Sequence, residues 1–134
     1  MNILLDTSAY SVSWRGHRHL EDYIRQAERV YMSPVALGEL RAGYLRGSRR
    51  EENEEQLRRF LASPRVIVPE ITGETADRYA SIRSSLLNAG TPIPTNDIWI
   101  AAGAMQHGLE LLTTDAHYLK VPQVLVRYFE PTAR

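Results

Sequence analysis

The feature that most constrains this chain is the apolar triplet Ile3-Leu4-Leu5, cut off at once by Asp6 and the hydroxyl residues Thr7 and Ser8. An unbroken apolar run has no polar face, so as a strand it must be covered on both sides, the habit of a parallel sheet between helices. Asp6 then stands at the carboxyl end of that strand, where open α/β sheets bind their ligands. The same elements, an apolar strand closed by hydroxyl residues and an acid, return where the run from Leu109 to Leu112 enters Thr113-Thr114-Asp115.

Composition narrows the classes. At 134 residues the expectation is one domain over residues 1–134, burying roughly 70% of the surface its unfolded chain exposes. There is no cysteine, so no disulfide framework is expected, and a reducing compartment fits. No basic-then-apolar leader and no apolar run near the ~18 residues of a membrane span occur, so the expectation is a soluble cytoplasmic protein. Sixteen basic and sixteen acidic residues give a formal net charge of zero, which lacks the footprint of a non-specific nucleic-acid binder. Lys120 is the only lysine among arginines, and arginine suits bidentate contacts with phosphate or carboxylate.

Along the chain, Thr7 is placed to cap a first helix that stops near Gly16, and residues 18–29 read as a second, amphipathic one. His17 and His19 form an H-x-H pair that fits either a metal site or a solvated turn. Val30-Tyr31-Met32 reads as a buried strand, with Ser33 as N-cap and Pro34 opening a helix to about Gly47. Its expected inward stripe is Val35, Leu37, Leu40 and Tyr44, and Glu39 lies about a turn and a half in, flanked by Ala36 and Gly43. Residues 49–63 form a charged helix in which Glu54 with Arg58 and Glu55 with Arg59 have the favourable i, i+4 order. With the preceding helix it makes a helical hairpin. Val66-Ile67-Val68 is the third strand, and residues 72–88 form a long helix with Ala76, Tyr79, Ile82 and Leu86 inward and Gly90 as its stop. Pro92 and Pro94 stiffen the approach to a helix, apolar almost all round, with Asp97 in its first turn. Val124-Leu125-Val126 is the last strand. A gap of about nine residues is short for a parallel crossover, which leaves its direction open.

Four acids fall into one pattern. Asp6 and Asp115 end strands, whereas Glu39 and Asp97 open helices, and in a right-handed βαβ arrangement strand ends and helix starts share one rim. Each has a plain alternative as an ordinary helix-start or capping acid. Together in a cleft, four carboxylates would repel and raise one another's pKa values unless a cation neutralised them. An all-oxygen set favours Mg²⁺ or Mn²⁺, able to activate water for in-line phosphodiester cleavage.

The chain resembles the PIN-domain ribonucleases, and among them the VapC-like toxins of bacterial toxin–antitoxin pairs. The residues that carry the resemblance are Leu4-Leu5-Asp6-Thr7-Ser8, the helix start from Ser33 to Glu39-Leu40, Pro94-Thr95-Asn96-Asp97 leading to Ile100-Ala101-Ala102, and Leu112-Thr113-Thr114-Asp115 with Tyr118-Leu119. The likeness spans essentially the whole chain. It implies a three-layer α/β/α fold with a mostly parallel sheet of about five strands, and Mg²⁺- or Mn²⁺-dependent cleavage of RNA. It further implies that Asp6, Glu39, Asp97 and Asp115 form the catalytic, metal-holding cluster, that the Thr7 and Thr113 hydroxyls support it, and that Asn96 matches a motif position. A homodimer held inactive by a VapB-like antitoxin, whose tail occupies the cleft, is the expected assembly. Arg15, Arg18, Arg46 and Arg49 are candidates for the RNA-binding face. Two other classes compete: a receiver-like phosphoacceptor module, which needs an aspartate ending its middle strand and a lysine near the last strands, and a catalytically silent PIN-like scaffold that binds RNA or a partner.

Overall fold

A computed structural model describes residues 1–132. The elements follow in the order β1 (Asn2–Leu5), α1 (Thr7–Ser13), α2 (Arg18–Gln26), β2 (Arg29–Met32), α3 (Pro34–Arg46), α4 (Arg50–Ala62), β3 (Val66–Ile67), α5 (Gly73–Asn88), α6 (Thr95–His107), β4 (Glu110–Thr113), a 3-10 helix (Ala116–Lys120) and β5 (Val126–Tyr128). The strands form one sheet in the order β3-β2-β1-β4-β5, and every pairing is parallel. Ile3, Leu4 and Leu5 lie in its centre with at most 1% exposure, the two-sided burial that their unbroken apolar run requires. Burying each such side chain contributes about 2 kcal/mol.

The small residues of α6 let it lie close to the sheet: Ala101, Ala102 and Ala104 are buried, and a Cβ at Gly103 would touch Leu4 at 3.9 Å. The helix ends at Gly108, whose φ of 62° falls in the left-handed region where glycine carries no penalty. α5 packs along α6, and Tyr79 stacks on Trp99 with ring centroids 4.2 Å apart.

The strand order also separates the competing classes. A receiver module uses the order 2-1-3-4-5, which makes its third strand central; here β3 is a two-residue edge strand and β1 is central. Because β2 and β3 continue outward from β1 while β4 lies on its other side, the order reverses between β1 and β4. That switch point opens the crevice at the carboxyl ends of these two strands.

Several local expectations change. Asp6, not Thr7, caps α1, by accepting from the Ala9 amide. α2 ends at Gln26, and Arg29 already belongs to β2. Of the stripe expected on α3, Leu40 is buried and Val35, Leu37 and Tyr44 are half-buried, with Ala36 the other buried position. On α5 Thr75 is buried and Ala76 is exposed, because the Thr75 hydroxyl closes a capping box with Thr72 and donates to Gln106 Oε1 at 2.5 Å. The helical hairpin forms, but Glu54 pairs across it with Arg41 at 3.2 Å rather than with Arg58, and Glu55 takes both Arg58 and Arg59. The last strand runs parallel to β4 and starts at Val126. Residues 114–125 thus provide a crossover of the usual dozen residues, with Tyr118 of the 3-10 helix buried as its anchor.

Candidate active site

Each acid arrives at the switch-point crevice for a local reason. Asp6 follows β1 and is pinned by its own cap: Oδ1 accepts from the Ala9 amide at 2.7 Å, and the Ser8 hydroxyl reaches both carboxylate oxygens at 2.8 and 2.9 Å. From the neighbouring strand β4, Thr113 Oγ1 donates to Asp6 Oδ2 at 2.6 Å. Ser8 ties the strands further by accepting from the Thr114 amide at 3.1 Å. Asp115 follows β4, where its side chain caps the 3-10 helix through the His117 amide at 2.9 Å, and its own amide donates to Thr113 Oγ1 at 2.8 Å.

The two helix-borne acids face these strand ends. Glu39 on α3 accepts from Thr7 Oγ1 at 2.6 Å and from Asn96 Nδ2 at 3.3 Å, so α1, α3 and α6 meet at one carboxylate. Asp97, in the first turn of α6, accepts from the Tyr118 hydroxyl at 3.2 Å and lies 3.4 Å from His117 Nδ1. That imidazole nitrogen is also 3.1 Å from Asp115 Oδ1.

The electrostatics record the same convergence. Burial raises the Asp6 carboxyl from 3.8 to about 6, against the lowering effect of its hydrogen bonds from Thr113, Ala9 and Ser8 and with help from the charge of Asp97. Asp97 is likewise raised, first by burial and then by the charges of Asp115 and Glu39. The Tyr118 phenol is raised by burial and by the charges of Asp6, Asp97 and Glu39. Among the described residues no lysine or arginine forms an ion pair with any of the four acids. A crowd of carboxylates without a fixed cation has the chemistry of a site that takes a mobile one. Asp97, Asp115 and His117 offer ligand atoms that all lie within 4.8 Å of one another, so part of this cluster can hold a metal ion.

All six residues expected at the site are brought to one rim, together with Asn96. Three further members carry no role in the sequence reading: Ser8, His117 and Tyr118. Their signal is spacing, since Ser8 and His117 each stand two residues after a strand-ending aspartate, the offset of side-chain-capped turns. The H-x-H pair is a different matter. His17 Nδ1 accepts from the Leu20 amide at 3.2 Å and Nε2 donates to the Glu130 carbonyl at 2.7 Å. Both nitrogens are spent on capping α2 and fastening the chain beyond β5. Arg15, Arg18, Arg46 and Arg49 are exposed, and Arg15 and Arg49 line one cleft with Tyr10 and Tyr44.

Comparison with known proteins agrees with this fold. The family model described as PIN domain matches residues 3–124. Ribonuclease VapC4 of Mycobacterium tuberculosis (strain ATCC 25618 / H37Rv) is 37% identical over 95 residues, 71% of this chain and 73% of that protein. FitAcB from Neisseria gonorrhoeae superposes with a TM-score of 0.72 at 28% identity, covering 98% of both chains. VapBC2 from Rickettsia felis, solved bound to a DNA fragment from its promoter, shares the fold with a TM-score of 0.81 at 22% identity, over 97% of this chain and 100% of that one. With the family model matched from β1 to the approach of β5, and four acids at the crevice between β1 and β4, this chain belongs to the PIN-domain family.

Proposed function

We propose that this chain, acting as a single domain over residues 1–134, is a metal-dependent endoribonuclease and the toxin of a VapBC-like toxin–antitoxin pair. The observation that carries the reading is the convergence of Asp6, Glu39, Asp97 and Asp115 at the switch point, with no lysine or arginine among the described residues paired to them. The four acids would hold Mg²⁺ or Mn²⁺, which when bound would supply an activated water and charge stabilisation at the scissile phosphodiester. Thr113 and Ser8 fix the Asp6 carboxylate, Thr7 and Asn96 fix Glu39, and Tyr118 fixes one oxygen of Asp97. Such supporting hydrogen bonds orient ligands and set their basicity.

The similar proteins named ribonuclease and VapBC support RNA as the substrate and a VapB-like antitoxin as the partner. The chain acts as a homodimer. It acts in the cytoplasm on this reading; no helix among the described residues is long and apolar enough to cross a membrane. The purified protein should cleave RNA with Mg²⁺ or Mn²⁺, stop in EDTA and resume when the ion is restored. Undiminished cleavage in EDTA overturns the reading.

A further inference from the structure

Resting on the metal-dependent reading above, we infer that His117 is itself a ligand, through Nδ1, and that it makes the centre a mixed nitrogen–oxygen site that prefers Mn²⁺ to Mg²⁺. The placement is built, not incidental. The backbone amide of His117 donates to Asp115 Oδ1, which fixes the imidazole beside that carboxylate, and Nδ1 stands 3.1 Å from Asp115 Oδ1 and 3.4 Å from Asp97 Oδ2. Tyr118, the next residue, donates to the other oxygen of Asp97. One turn of chain thus orients both acids and presents a nitrogen between them.

The separations suit coordination. Ligand atoms about 2.1 Å from a six-coordinate ion stand about 3 Å apart along an octahedral edge, close to both observed distances. Side-chain exposures of 45% at His117, 38% at Asp115 and 14% at Asp97 leave room for water and a phosphate oxygen. The chemistry then separates the two ions. Mg²⁺ takes oxygen ligands and keeps its waters, whereas imidazole suits transition ions, so a neutral nitrogen in the set shifts the choice towards Mn²⁺. His17, by contrast, has both nitrogens engaged with backbone and cannot serve.

The test is spectroscopic and needs no turnover. Mn²⁺ is added to the purified protein, to His117→Gln and to His117→Asp, and pulsed electron paramagnetic resonance is recorded for ¹⁴N coupling to the bound ion. The wild type should show imidazole ¹⁴N coupling and both variants should lose it. The Mg²⁺ concentration that displaces half the Mn²⁺ should fall about ten-fold in His117→Gln, and His117→Asp, which restores an oxygen ligand, should bind Mn²⁺ with the weaker Mn²⁺ preference. Bound Mn²⁺ without ¹⁴N coupling in the wild type overturns the inference and leaves a carboxylate-only metal site intact. Equal Mn²⁺/Mg²⁺ competition in all three proteins overturns it too. No Mn²⁺ binding at all overturns the metal-dependent reading beneath it.

Discussion

At the amino end of β4 the buried Glu110 accepts from the Tyr23 hydroxyl at 2.5 Å and from Arg127 Nε at 3.0 Å, and the Arg127 guanidinium lies 4.7 Å from the Tyr23 ring centroid. At the carboxyl ends of β1 and β4, Asp6 is more deeply buried than Glu110, at 3% against 9% exposure. Its partners are hydroxyls and an amide, and the charge that acts on it is another acid, Asp97, which in turn feels Asp115 and Glu39. One sheet therefore treats its buried acids in two ways. A buried acid matched to a fixed cation is finished structure, because bringing in a second ion would leave the arginine unpaired. A buried acid held by neutral donors among like charges is incomplete until a cation arrives.

The largest expected effect separates the two ends by activity. Asp97→Asn keeps the shape of the α6 start and its Tyr118 contact but removes one negative charge from the cluster. RNA cleavage should fall at least ~100-fold, with an unchanged circular dichroism spectrum. Cleavage within a factor of two of wild type would remove the basis for treating the carboxyl end as the reactive one.

How far each end could be read from sequence follows from how local its signals are. Asp6, Asp115, Glu39 and Asp97 were legible because each is written beside its own element: an apolar run that stops at an acid, or an acid just inside a helix that follows a strand. A doubly covered strand of the parallel type followed from Ile3-Leu4-Leu5, whereas the direction of the last strand did not. The amino-end pair was not legible, because Tyr23 and Arg127 stand 87 and 17 residues from Glu110 and neither spacing is a helical or strand repeat. Thr75 was missed on α5 because its burial is fixed by a hydrogen bond to Gln106, 31 residues on, and not by apolar periodicity. Glu54 follows Arg41 rather than Arg58 for a similar reason: α3 and α4 must already be packed for that pair to compete with the one on the same helix.

A smaller effect should appear at the amino end, in stability alone. Glu110→Gln preserves an acceptor for Tyr23 and deprives Arg127 of its carboxylate. Arg127 is half exposed, with side-chain exposure of 49%, so solvent screening holds the loss to about 1 kcal/mol or less. Urea unfolding should show a slightly lower midpoint with an unchanged slope, and RNA cleavage should stay at the wild-type rate. A loss of cleavage matching that of Asp97→Asn would mean that the two ends are one coupled system.

An effect of similar size tests incompleteness directly, through pH. With the Asp6 carboxyl raised from 3.8 to about 6, the folded, metal-free protein binds a proton at Asp6 more readily than the unfolded chain does. The stabilisation from that group is therefore fully present below 3.8 and is lost as pH rises through about 6. Lowering the pH from 7.5 to 5.5 in EDTA should raise the unfolding free energy by about 1 kcal/mol through Asp6, with Asp97 acting in the same direction. Asp6→Asn, which cannot titrate there, should lose that part of the gain in urea unfolding. With the ion bound the sign reverses, because protons then compete with the cation for the same oxygens and acid removes the stabilisation that the metal supplies. Opposite pH slopes with and without metal, both weakened in Asp6→Asn, are the signature of a buried acid cluster completed by a cation; parallel slopes would place Asp6 with Glu110, as an acid the fold has already satisfied.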